Sequence, residues 1–232
     1  MILRPADQRF HSQLDWLDSW HSFNQDPNWM GFGPLRVIND DIIGAGKGFG
    51  MHSYRDMEII TVMVEGALTD ADSMGNNVVL RAGEVQRMSA GSGIVHSEIN
   101  QTGEPCRLLQ IWIEPAQLGI QPADEQKPFA IGEGWTPLIE PDASGEAAMA
   151  IERRVRLWRA QPQRQQPLPL PAAKERLLWI QVIDRELTLN SEGSPEQSLP
   201  RGDGLGLIQD GSTQGELVSL GERADVLLFA LA

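Results

Sequence analysis

Hydrophobic positions along the chain gather in short runs rather than in helical stripes. Leu35-Arg36-Val37-Ile38, Ile42-Ile43, Glu58 to Val64, Val78-Val79-Leu80, Ile94-Val95 and Leu108 to Ile113 are rich in β-branched and other apolar residues. Between them stand Gly44-Ala45-Gly46, Ser73 to Asn77, Ala82-Gly83 and Ala90 to Gly93. Many short strands at close spacing with glycine-rich turns predict an all-β barrel or sandwich. The exception is near the start, where Trp16, Leu17 and Trp20 fall at helical spacing and predict a short helix over Leu14 to Trp20. The neighbouring aromatics Phe10, Phe23, Trp29 and Phe32 are expected to plug a barrel end, with His11 and His21 structural among them.

Two stretches interrupt the pattern. Residues 114 to 150 are rich in Pro, Gly, Glu and Ala with weak periodicity, which suits a connector and predicts domains over 1–135 and 136–232. Gln161 to Pro171 is too proline-dense for a helix or a central strand and is expected to be exposed and extended. Beyond it the first half recurs. Leu80 to Glu84 matches Leu199 to Asp203, and Leu108 to Ile111 matches Leu227 to Ala230, both 119 positions apart, while Ile59 to Val62 matches Leu177 to Ile180 at 118. Agreement in order and spacing points to a duplicated β-barrel.

Composition narrows the functions. A formal charge of −13 and a pI near 4.7 argue against nucleic acid and anionic membranes as partners, since both are negative themselves. Cys106, the only cysteine, excludes an internal disulfide and is expected to be a small core residue. The absence of a signal-peptide core and of an apolar run of about 20 residues makes cytoplasmic residence the expectation.

Candidate chemistry lies between Gly46 and Gly103, in Met51-His52-Ser53-Tyr54 and Val95-His96-Ser97-Glu98. In a strand alternate side chains share a face, so His52 and Tyr54 point one way, as do His96 and Glu98. Four donors could thus converge inside a barrel with a position left for substrate. Two histidines and a glutamate suit Fe, Mn, Ni, Co, Cu or Zn, and resemble the donor set of non-haem Fe(II) sites. Positions 119 beyond His96 and Glu98 are Gly215 and Leu217, and no histidine follows His96, so the second barrel lacks these ligands. Tyr54, the only tyrosine, is a good ligand only as phenolate. It could ligate from a displaced centre, hydrogen-bond a bound water, or fill the space of metal and substrate. Glu58 is expected to hydrogen-bond a barrel loop, and Arg55 and Asp56 to be a solvated or loop-bracing pair.

Gly46, His52, Glu58 and Gly66 approximate the first cupin pattern, and Gly83, Gly91, His96 and Asn100 the second. More specifically, Gly48 to His52, Arg55 to Ile59, Asp72 to Asn76 and Met88 to Glu98 resemble the pirin family. Trp16 to Phe23, Leu35 to Asp41 and Gln110 to Ile113 extend the resemblance toward bacterial pirin-like quercetinases, strongly over most of residues 1–130 and faintly beyond. The resemblance implies a bicupin, two double-stranded β-helix (jelly-roll) barrels, with a divalent metal, Fe(II) foremost, in the N-terminal one. His52, His96 and Glu98 match the family's ligands, whereas Ser53-Tyr54 stands where the family has Pro-His. The implied activity is quercetin 2,3-dioxygenase, ring cleavage of a flavonoid-like aromatic substrate with dioxygen, with Glu98 as ligand and proton acceptor. The other implied function is a regulatory or binding module whose metal site is weak, sensory or absent because of Tyr54.

Overall fold

A computed structural model describes residues 1–141, 143, 147–209 and 215–232. The strands are β1 (Ile2–Arg4), β2 (Phe10–Gln13), β3 (Leu17–His21), β4 (Leu35–Ile43), β5 (Gly48–Tyr54), β6 (Glu58–Glu65), β7 (Ala67–Asp72) and β8 (Asn77–Arg81). They continue as β9 (Glu84–Ser89), β10 (Ile94–Ile99), β11 (Cys106–Ile113), β12 (Ala123–Pro128), β13 (Thr136–Glu140), β14 (Met149–Ala150), β15 (Val155–Ala160) and β16 (Pro167–Pro169). The last are β17 (Leu177–Asp184), β18 (Leu187–Ser191), β19 (Gln197–Leu199), β20 (Gly204–Ile208), β21 (Gly215–Ser219) and β22 (Asp225–Leu231). A single 3-10 turn, Ala6–Gln8, is the only helical element among the described residues, and no helix is long and apolar enough to cross a membrane.

The chain forms two compact units, Arg9–Phe129 and Met1–Gln8 with Ala130–Ala232. In the first, a seven-stranded sheet in the order β12-β9-β6-β11-β4-β3-β2 faces a four-stranded sheet, β5-β10-β7-β8. Leu17, Ile43, Met63 and Leu108 from the larger sheet meet Leu68 and Leu80 from the smaller to form the floor of the barrel. The strand β11 is apolar almost throughout because it lies between β4 and β6 and is covered on both faces.

The second unit repeats this plan, with sheets β1-β20-β17-β22-β15-β13-β14 and β16-β21-β18-β19. Gly83 and Gly202 make the same left-handed turn, at φ 88° and 86°. A buried ion pair recurs with its charges exchanged: Arg107 on β11 grips Asp40 on β4 at 2.8 Å through Nε and Nη2, and Asp225 on β22 receives Arg159 on β15 at 2.9 and 2.6 Å. These pairs and the inward-facing residues set the correspondence one residue away from the sequence matches on two strands. Leu108 corresponds to Val226 and Ile59 to Leu178, because a one-residue slip in a strand turns every side chain to the other face.

Three further expectations change. Residues 17–21 are a strand, not a helix: Leu17 and Ser19 are buried, and Trp20 on the opposite face stacks on His11 of β2 at 3.9 Å. Cross-strand pairing outweighs a helical spacing supported by only three residues. The connector is shorter than 114–150, since β12, β13 and β14 lie within it; positions 142 and 144–146 fall outside the described residues. Edge strands such as β12 tolerate polar sequence because one side stays open. The first eight residues belong with the second unit rather than the first, because β1 pairs with β20 as β12 pairs with β9. The proline-rich segment runs extended only in part: Pro167–Pro169 form the edge strand β16 with both prolines exposed and Leu168 buried, whereas the chain turns at Gln163 to Gln166 and Pro162 is buried.

Candidate metal centre

The neighbouring strands β5 and β10 carry the site. Met51, Ser53 and Val95 face solvent, so the alternation turns His52, His96 and Glu98 into the barrel. His52 and His96 are register partners with ring centroids 4.5 Å apart. A bulge between His96 and Glu98 changes the register there. The ligand atoms of His52, His96 and Glu98 lie within 4.8 Å of one another, with His96 and Glu98 buried and His52 half-buried.

Each of the three is held by a group that leaves a donor atom available. His52 Nδ1 lies 2.8 Å from Gly50 O, and a carbonyl only accepts, so the proton is on Nδ1 and the lone pair on Nε2. His96 Nδ1 lies 3.2 Å from Asp70 Oδ2 on β7, and its Nε2 is buried with no hydrogen-bond partner among the described residues. Gln110 on β11 donates Nε2–H to Glu98 Oε1 and Oε2 at 3.1 and 3.2 Å, and its Oε1 accepts from Thr61 on β6 at 2.7 Å. A buried imidazole nitrogen facing a second histidine and a carboxylate fits a divalent metal, because coordination would satisfy it.

Electrostatics favour that fit at His52, whereas at His96 a metal would have to displace a proton. Burial pulls the His52 pKa below its ordinary value, favouring the neutral ring. Burial acts the same way on His96, but the Asp70 hydrogen bond and the Glu98 charge outweigh it and leave its pKa raised. Burial raises Glu98 to about 7, opposed by His96 and reinforced by Asp70. Tyr54 lies beside both histidines, at 5.0 and 5.4 Å between ring centroids, and edge-on to Trp112 of β11 at 5.1 Å. Burial, Glu98 and Asp41 all push its pKa up, so without a cation it is a neutral phenol. Ile59, Met88, Ala90 and Ile94 form an apolar cluster around Tyr54 and Trp112.

The remaining predicted residues have structural roles. Glu58 accepts a hydrogen bond from Ser89 at 2.7 Å. Arg55 donates to Ser92 O and Asp56 accepts from Gly119 N, so each braces a loop. His11 pairs with Asp18 at 2.8 Å, and His21 with Asn39 at 2.9 Å. Asp70, Gln110 and Thr61 carry no motif, and their only signal in the sequence is a polar residue at an inward-facing position of an apolar strand.

The fold defines a bicupin, and among the described residues His52, His96 and Glu98 form its candidate metal centre. Residues 4–113 match the family model described as Pirin, and residues 138–231 match the Quercetinase C-terminal cupin domain. A relative named quercetin 2,3-dioxygenase, from Escherichia coli strain K12, is 41% identical over all of this chain and 98% of its own length. The crystal structure of YhhW from Escherichia coli superposes with a TM-score of 0.91 at 40% identity, covering 100% of this chain and 97% of that one. A second structure, of the bacterial pirin YhhW in complex with nickel(II), gives 0.89 at 40% identity over 99% and 98%. This chain belongs to the pirin family.

Proposed function

We propose that the protein is a metal-dependent dioxygenase of the quercetinase type, acting on a flavonol-like substrate with dioxygen, its divalent metal held by His52 Nε2, His96 Nε2 and Glu98. The observation that carries this is the buried, unpartnered His96 Nε2 facing the other two donors. The name of the 41%-identical relative supports the substrate class, and the nickel complex of the similar structure supports a divalent metal. Iron(II) is the ion that two histidines and one carboxylate suit for oxygen chemistry. When bound, the metal supplies Lewis acidity and redox chemistry at the substrate oxygen.

The chain's own groups do the rest. Glu98, buried beside both histidines, is the carboxylate placed to take the proton of an enolic hydroxyl. Gln110 keeps the carboxylate turned inward while it does so. Tyr54 stands beside both histidines at the place of a fourth donor, where its hydroxyl can ligate or hydrogen-bond substrate or water. Trp112, Ile59, Met88 and Ile94 give aromatic rings an apolar wall.

Oxygen uptake with quercetin, after anaerobic loading with Fe, Mn, Ni, Co or Cu in turn, tests the reading. Turnover with at least one metal is expected, and none with any would sink the dioxygenase assignment. The position of Tyr54 beside the candidate ligands favours a second reading, a regulatory or binding protein with a weak, sensory or absent metal site, which predicts no oxygen uptake with any metal.

A further inference from the structure

The duplicated barrel is an internal control for which residues belong to the metal centre. In the second barrel Leu170 N donates to Gly215 O at 2.9 Å, and Leu217 is the register partner of both Leu168 and Leu189. Glu98 likewise pairs with Asp70 in the first. Leu170 therefore stands for His52, Leu189 for Asp70, Gly215 for His96 and Leu217 for Glu98. Across the larger sheet Ile180 pairs with Leu228 where Thr61 pairs with Gln110. Leu189, Leu217, Ile180 and Leu228 all lie in one apolar core, and Leu170 packs against it. The barrel without ligands thus has leucine at the counterpart of Asp70.

We infer that Asp70 is a positioning residue of the metal centre, fixing the proton of His96 on Nδ1 so that Nε2 is presented to the ion. The inference rests on the metal reading above. Three observations support it: the 3.2 Å contact between two almost fully buried side chains, the bare Nε2 on the far side of the ring, and the leucine at the corresponding place in the barrel that lacks ligands. Asp70 stands outside the group of three whose ligand atoms converge, so it acts through His96 and not as a donor. A carboxylate behind a ligating imidazole orients the ring and strengthens it as a ligand.

The test compares the metal-free full chain with Asp70→Leu and Asp70→Asn. Leucine is the residue the second barrel already accommodates at this place, and the asparagine oxygen can still accept from Nδ1–H. Nickel(II) affinity is measured by calorimetry, and the His96 tautomer by 15N NMR at a pH where the ring is neutral. Asp70→Leu is expected to lose the Nδ1–H tautomer and to bind nickel(II) roughly 10- to 100-fold more weakly, with Asp70→Asn recovering most of both. If Asp70→Leu keeps the tautomer and binds within about two-fold of wild type, the inference is overturned while the metal centre stands. Equal weakness in Asp70→Asn and Asp70→Leu also overturns it, since hydrogen-bond acceptance would then not matter. Failure of the unaltered chain to bind nickel(II) or iron(II) removes the metal centre and the inference with it.

Discussion

Gly48 begins the strand that carries His52, and its φ of +154° brings its backbone against β10, where a β-carbon would run into the carbonyl oxygen of Glu98. Gly48→Ala should push the two ligand strands apart, costing ~1–3 kcal/mol and weakening nickel(II) binding; denaturant unfolding and calorimetry read the two effects. Asp41, which is not one of the candidate ligands but feels the Glu98 charge, offers a pH test. Burial raises its pKa from 3.8 to about 7, against the hydrogen bond that Ser19 donates to it. Between those values the folded chain keeps a proton that the unfolded chain has lost, so Asp41 lowers stability progressively as pH rises from about 4 to 7. Asp41→Asn should flatten that part of the slope in the metal-free protein and raise stability at pH 8 by about 1 kcal/mol or more, as urea midpoints at pH 5 and 8 would show. His52, His96 and Glu98 were legible in the sequence because strand alternation makes an i, i+2 pair meaningful by itself. Asp70 and Gln110 were not, because each is a single polar residue whose purpose depends on a partner on another strand.

Elements were legible in proportion to how fully they are buried. The β-branched runs became β4, β6, β10 and β11, central strands whose covered faces demand apolar sequence, except for Val78-Val79-Leu80, which became the edge strand β8. The strands β2, β3 and β12 were hidden, since their polar residues satisfy one another across strands, as His11 does with Asp18 and Gln86 with Asp124. The exchanged ion pairs carry a prediction at this scale. Asp40→Arg or Arg107→Asp alone leaves a buried charge without its opposite and should cost ~3–5 kcal/mol. The double exchange reproduces the orientation of Arg159 and Asp225 and should recover most of that loss, measured as a double-mutant cycle in urea.

At the scale of the whole chain, duplication was legible as a recurring spacing, and the silence of the second barrel as missing histidines. The sequence did not reveal that the missing ligands are part of a wider exchange, in which Thr61, Asp70, Glu98 and Gln110 become a continuous aliphatic core at Ile180, Leu189, Leu217 and Leu228. That comparison requires the facing of each strand, which a one-residue slip reverses. The first strand was also out of reach, since three residues carry no signature of a partner so distant. Its pairing has a consequence for synthesis. Ala6 N donates to Asp203 Oδ1, 197 positions later, so at the usual ~5–20 residues per second the ribosome needs roughly 10–40 s between making one and the other. During that interval the barrel with the candidate metal centre has all its strands and can close, while β1 waits for β20.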